Sequence, residues 1–170
     1  MATQVGVGMV YDDDVLYAAA WLHDLGVFIG HRPDDPQALQ RWNNIAYAVE
    51  VVPGLLEGFG FPAPKIPAVL AAIAEHLPQG QPSTPEGVIL RDADLLEQLG
   101  AIIILRTTAK IGRDTRYHTF GDALGFLKRN LATIPDLLHL ERTRQLAPPR
   151  IAMLQAFIAA AEEESLGLAL

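Results

Sequence analysis

Apolar residues recur at helical spacing through nearly the whole chain, and two of these stripes end on a histidine. Leu16, Ala19, Ala20 and His23 follow the i, i+3, i+4, i+7 pattern, and Ile66, Val69, Leu70 and Ile73 lead to His76. A stripe of this period specifies an amphipathic helix whose apolar face other helices must cover. The expected fold class is therefore all-α. The 170 residues are enough for one core, so a single helical domain over 1–170 is expected, with 1–12 as a flexible N-terminal segment.

Punctuation along the chain sets the expected boundaries. The first helix should run from about Asp13 to Leu25 and stop at Gly26. After the turn-rich run Gly30–Pro36, a second helix should begin near Pro36 or Gln37, carry Trp42, Ile45, Ala46 and Val49 on one face, and kink or end at Pro53. The third ends at His76. Ser83 and Glu86 have capping-box spacing, with Pro85 suited to the first turn of a helix reaching Gly100. Ala101–Leu105 is β-branched enough for a strand. A lone strand has no partner, so a helix is expected there. A polar loop should cover Gly112–Thr119, followed by helices at about Phe120–Leu131 and Ile134–Glu164, the latter interrupted near Pro148-Pro149.

Composition excludes several functions. There is no cysteine, hence no disulfide, thiolate zinc site or cysteine nucleophile. A formal charge of −7 argues against a dedicated binder of nucleic-acid duplex, which needs Lys and Arg for phosphates. No apolar run reaches the roughly 20 residues of a membrane span, and no targeting segment is visible. A cytoplasmic protein with no membrane partner is expected. P-loop, dinucleotide fingerprint, GxSxG elbow and HExxH helix are all missing.

What remains is a set of His and Asp residues. His23 and Asp24 are adjacent and about 100° apart on a helix, yet both can reach one ion beyond its end. The plainer alternative is a core histidine beside a solvated capping aspartate. Asp92 falls on the apolar stripe of Val88, Leu95, Leu96 and Leu99, while Asp94 lies on the neighbouring face. Carboxylates in such company are costly unless metal-bound or paired, with Arg91 as the obvious partner. His31 sits beside Arg32 in a polar loop, where it is either solvated or placed to meet an anionic substrate. His118 and His139 lack supporting context.

In order, these pieces resemble the HD-domain superfamily of metal-dependent phosphohydrolases. The matching elements are Trp21-Leu22-His23-Asp24, Ala72-Ile73-Ala74-Glu75-His76, Asp92-Ala93-Asp94-Leu95-Leu96-Glu97 and Leu99-Gly100-Ala101-Ile102, within a likeness spanning 13–164. The resemblance implies His23, Asp24 and Asp94 as metal ligands, because Ala93-Asp94-Leu95-Leu96 fits the family's AD-x-L element. It implies Asp24 and His76 in water activation and proton transfer, with His31 and Arg32 at the substrate. The implied cofactor is one divalent ion, Mn²⁺, Fe²⁺, Co²⁺, Ni²⁺, Zn²⁺ or Mg²⁺. The implied substrate is a small phosphorylated compound, specifically a nucleotide. Family members carry a further ligand histidine on a helix upstream, whereas no histidine precedes His23 here. That departure means a truncated or misassigned start, another residue in place of the missing ligand, or a degenerate site, and the last gives the alternative of an HD domain that binds a nucleotide or partner protein without catalysis. It also leaves apolar surface that would favour a homodimer. A two-iron oxygenase would need more histidines than His31 and His76 supply.

Overall fold

The structure, a computed structural model, describes residues 1–114 and 116–166. These residues fall into two compact units, Ala2–Asp92, and Ala93 onward together with Met1. Both are built from helices. Among the described residues the only β pairing is two isolated bridges, Ile29–Arg32 and Asp114–Tyr117. None of the described helices is long and apolar enough to cross a membrane.

The first unit contains α1 (Ala2–Val5), α2 (Asp13–Leu22), α3 (Pro36–Gln40), α4 (Asn44–Gly58), α5 (Ile66–Glu75) and most of α6 (Pro85–Glu97). Short 3₁₀ turns at Leu25–Val27 and Ala63–Lys65 follow α2 and precede α5. Helix α5 packs on α2 and α4, and α4 receives the Leu25–Val27 turn. Ala19, Val52, Val69, Ala72 and Ile73 are wholly buried. Small Ala19 and Ala72 let the helices approach closely, while Val and Ile supply the apolar area.

Helices α2 and α5 start together. Each has ten residues, about 15 Å of rise. Asp12 caps α2 by accepting from Asp14 N and Val15 N. Lys65 directly precedes α5, and its Nζ donates to Asp12 Oδ1 at 2.9 Å and Asp14 Oδ2 at 2.7 Å. These bonds hold the Asp12 carboxyl below its ordinary range and push the Lys65 ammonium above its own. Glu86 of α6, itself buried, accepts from Asp12 N at 2.6 Å and steadies the same corner.

The second unit holds α7 (Ala101–Thr108), α8 (Phe120–Leu137), α9 (Glu141–Leu146) and α10 (Pro148–Glu164). Helix α8 packs on α7 and α10, and α10 on α7 and α9. Leu127, Ile134, Leu154 and Ile158 fill the interior, and Lys128 pairs with Glu162 between α8 and α10. Arg150 Nη1 donates to Leu96 O at 3.1 Å and Asn130 Nδ2 to Gln98 O at 3.2 Å. Leu96 O, which also accepts from Leu99 N, and Gln98 O just beyond α6 are tied to α10 and α8 in this way.

The boundaries differ from expectation in five places. Helix α2 ends at Leu22, so His23 and Asp24 lie at and beyond its C-cap. The second expected helix is two, because Asn43 caps α4 by accepting from Ala46 N and leaves Trp42 between α3 and α4. Pro53 does not end α4. Buried Ala48, Val52 and Leu56 flank it on one face, and their burial outweighs the ~3 kcal/mol cost of an internal proline. The Ser83–Glu86 capping box is not formed. Thr84 Oγ1 takes Gly87 N, Ser83 turns to Glu75, and Glu86 serves Asp12. Finally, α8 passes through Pro135 to Leu137, so the last helical segment begins at Glu141 and not Ile134, while its interruption into α9 and α10 at Ala147 falls where Pro148-Pro149 was expected to place it.

Candidate functional site

Because α2 and α5 start together and have equal length, their C-terminal ends coincide. His23 follows α2 and His76 follows α5, and the two imidazole rings meet edge to face, with centroids 5.0 Å apart and planes at 79°. Both rings are oriented the same way. His23 Nδ1 lies 2.9 Å from Ala20 O, and His76 Nδ1 lies 2.6 Å from Ile73 O. A carbonyl oxygen has no proton to give, so each Nδ1 is the donor. In a neutral ring, Nε2 then carries the lone pair. A backbone carbonyl holding the far nitrogen in this manner is the usual support of a metal-binding imidazole.

Asp24 completes the local group. Its Oδ2 lies 3.6 Å from His23 Nε2, beyond hydrogen-bond range, and its side chain is 39 % exposed. His76 is buried and His23 half-buried. Two helix C-termini, each with a partial negative charge, favour a cation at this end. Imidazole and carboxylate therefore suit a divalent ion in donor chemistry. In number they fall short. Among the described residues, no group of three or more His, Asp or Glu side chains is gathered to hold a metal ion.

The two acids of α6 separate in environment. The Asp92 side chain is fully buried and faces Arg91 Nη1 at 3.5 Å, while Arg91 Nη2 donates to Pro78 O at 2.6 Å. Asp92 therefore has Arg91, the partner its apolar stripe pointed to, within ion-pair distance. Asp94 is half-buried, accepts from Gln98 Nε2 at 3.2 Å, and belongs to the second unit.

The loop after Asp24 is anchored on α4. Trp42 Nε1 donates to Gly26 O at 2.7 Å. A Cβ on Gly26 would stand 2.7 Å from Asn44 O, so only glycine lets the turn seat against α4. His31 is half-buried, with Nδ1 2.8 Å from the Tyr47 hydroxyl, and Tyr47 stacks obliquely on Trp42. Arg32 shares the turn, with both His31 N and Arg32 N donating to Phe28 O. Sequence reading missed Trp42 and Tyr47 as supports of this loop. The Asn43 cap was the available signal, since it moves Trp42 off the helix and puts Tyr47 in the first turn of α4.

The family model of the HD domain matches residues 2–99, which include His23, Asp24, His76 and Asp94. The chain belongs to the HD domain family. Solved structures share the fold of this HD protein. YpgQ of Bacillus subtilis, crystallised in complex with ADP, is 23% identical with a TM-score of 0.70, covering 99% of this chain and 85% of that one. A structural-genomics target from Lactobacillus plantarum is 22% identical with a TM-score of 0.68, covering 96% and 81%. The Lin1889 protein of Listeria innocua is 22% identical with a TM-score of 0.55, covering 93% and 89%. No curated protein matches the chain.

Proposed function

We propose that this HD protein is a metal-dependent phosphohydrolase acting on a small phosphorylated compound, with nucleotides as the first class to test. The observation that carries the reading is the pair of edge-to-face histidines beside Asp24, both with Nδ1 committed to a carbonyl. Family membership and the ADP complex of YpgQ support it.

His23 and Asp24 are the proposed ligands from the HD pair. Asp94 is added on the strength of its AD-x-L element alone. The chemistry supplied by a divalent ion is Lewis acidity toward a phosphoryl oxygen and a lowered pKa for water. Asp24 orients the attacking water and accepts its proton, which its partial exposure allows. His76 Nε2, whose lone pair first takes up a proton released from the attacking water, passes it to the leaving oxygen, and His31 with Arg32 binds the anion.

A second reading, nucleotide binding without hydrolysis, is favoured by the small number of donors gathered among the described residues. Phosphate release from a panel of nucleoside mono-, di- and triphosphates, with Mn²⁺ and with chelator, separates the two. Manganese-dependent release supports hydrolysis. Binding that survives chelator, without any release, supports the second reading.

A further inference from the structure

The Tyr47 hydroxyl and His31 Nδ1 stand 2.8 Å apart across the loop that follows the HD pair. This contact is built into the fold. Tyr47 sits in the first turn of α4 behind the Asn43 cap. Its ring lies 5.1 Å from that of Trp42, and Trp42 is itself tied to Gly26 O. The His31 ring meets Tyr47 at 61°, with centroids 5.8 Å apart. Gly30, at φ +90°, makes the turn that brings His31 back toward α4.

A phenol is a better proton donor and a poorer acceptor than an imidazole nitrogen. The contact therefore runs from Tyr47 O–H to Nδ1, and in neutral His31 the ring proton resides on Nε2. This arrangement is the reverse of His23 and His76, whose Nδ1 atoms face carbonyls. One pair of rings is set to offer a lone pair, and the third is set to offer an N–H.

We propose that Tyr47 is a positioning residue that fixes the His31 tautomer, so that His31 Nε2–H donates to a phosphate oxygen of the substrate. The inference rests on the reading of His31 as a substrate contact. It adds the residue that decides which way the hydrogen bond runs. Without the hydroxyl, His31 is free to carry its proton on Nδ1, and Nε2 then presents a lone pair to an anion.

The test combines imidazole ¹⁵N NMR of the full chain with titration of inorganic pyrophosphate in chelator. Wild-type His31 should show its proton on Nε2, and Tyr47→Phe should lower the population of that tautomer. His31→Ala should weaken pyrophosphate about 10-fold, the order expected for one hydrogen bond to a charged group, Tyr47→Phe should weaken it by a smaller factor because the anion can still draw the ring proton to Nε2, and the double variant should be no weaker than His31→Ala. His31→Gln, whose amide N–H reaches toward the Nε2 position, should retain binding and be insensitive to Tyr47→Phe. A wild-type proton on Nδ1, or pyrophosphate affinity unchanged in Tyr47→Phe, overturns the role of Tyr47. Failure of the wild type to bind pyrophosphate at all, with the tautomer as stated, overturns the anion reading of the loop and this inference with it.

Discussion

His23 and His76 stand edge to face at 5.0 Å although 53 residues separate them, because each is the first residue beyond a ten-residue helix and the two helices start together. Chain geometry, rather than any direct bond between the rings, creates the meeting. Lys65 clasps the starting end, and Ala19 and Ala72 permit close packing between. The meeting of the two histidines therefore depends on residues a helix length away.

Removing the clasp should loosen that register. Lys65→Met should lower the thermal midpoint, with a difference that shrinks as salt is added. Asp12 is held below its ordinary 3.8, so its contribution is present above that pH and is lost as acid protonates the folded form. Lys65 is raised above its ordinary 10.5, so its contribution is present below that pH and is lost as alkali titrates the folded form. The gap between wild type and variant should accordingly close at both extremes. A gap unchanged at high salt would show that the clasp acts through packing alone.

The seat of the loop after Asp24 should tolerate no side chain at position 26. Gly26→Ala places a methyl 2.7–2.8 Å from Asn44 O and Cα, which are backbone atoms and cannot turn aside. A loss of about 2 kcal/mol in denaturant unfolding is expected, of the order seen for overpacking. Trp42→Phe, which removes only the bond to Gly26 O and part of a ring, should cost about 1 kcal/mol.

Asp92 and Asp94 should part company on substitution. Asp92→Ala leaves Arg91 buried without its carboxylate and should destabilise by about 3 kcal/mol, while activity persists in the folded fraction. Asp94→Ala should abolish activity with little loss of stability. The opposite pattern would transfer the ligand role to Asp92.

Acid should reveal the loop before α8. Arg116 donates to both carboxylate oxygens of Asp114 and holds its pKa down from 3.8 to about 2. The stabilisation is complete above 3.8 and is lost as pH falls toward 2. Asp114→Asn should cost about 1 kcal/mol at neutral pH, discounted because Arg116 is exposed, and a clearly smaller amount near pH 2, where the folded carboxyl is half protonated. Equal losses at both pH values would deny the ion pair its role.

The helical class and both histidines were legible because period and helix termination are local properties. His76 ends its stripe and its helix as the spacing implies. Pro53 was misleading because its penalty is local while the burial of Val52 and Leu56 is tertiary. The Ser83–Glu86 spacing misled for a similar reason, as Glu75 and Asp12 compete for those side chains from other parts of the unit. Tyr47 gave no sign because its importance comes from a loop that folds back across 16 residues.

The central claim is that His23 and Asp24 hold a catalytic divalent ion. The direct measurement is metal content of chain purified without chelator, for wild type, His23→Ala and Asp24→Ala, alongside phosphate release. About one divalent ion per wild-type chain is expected, as for a single catalytic site, with loss of ion and activity together in both variants. A correctly folded wild type that binds no divalent ion above background, or variants that keep the ion, would contradict the account.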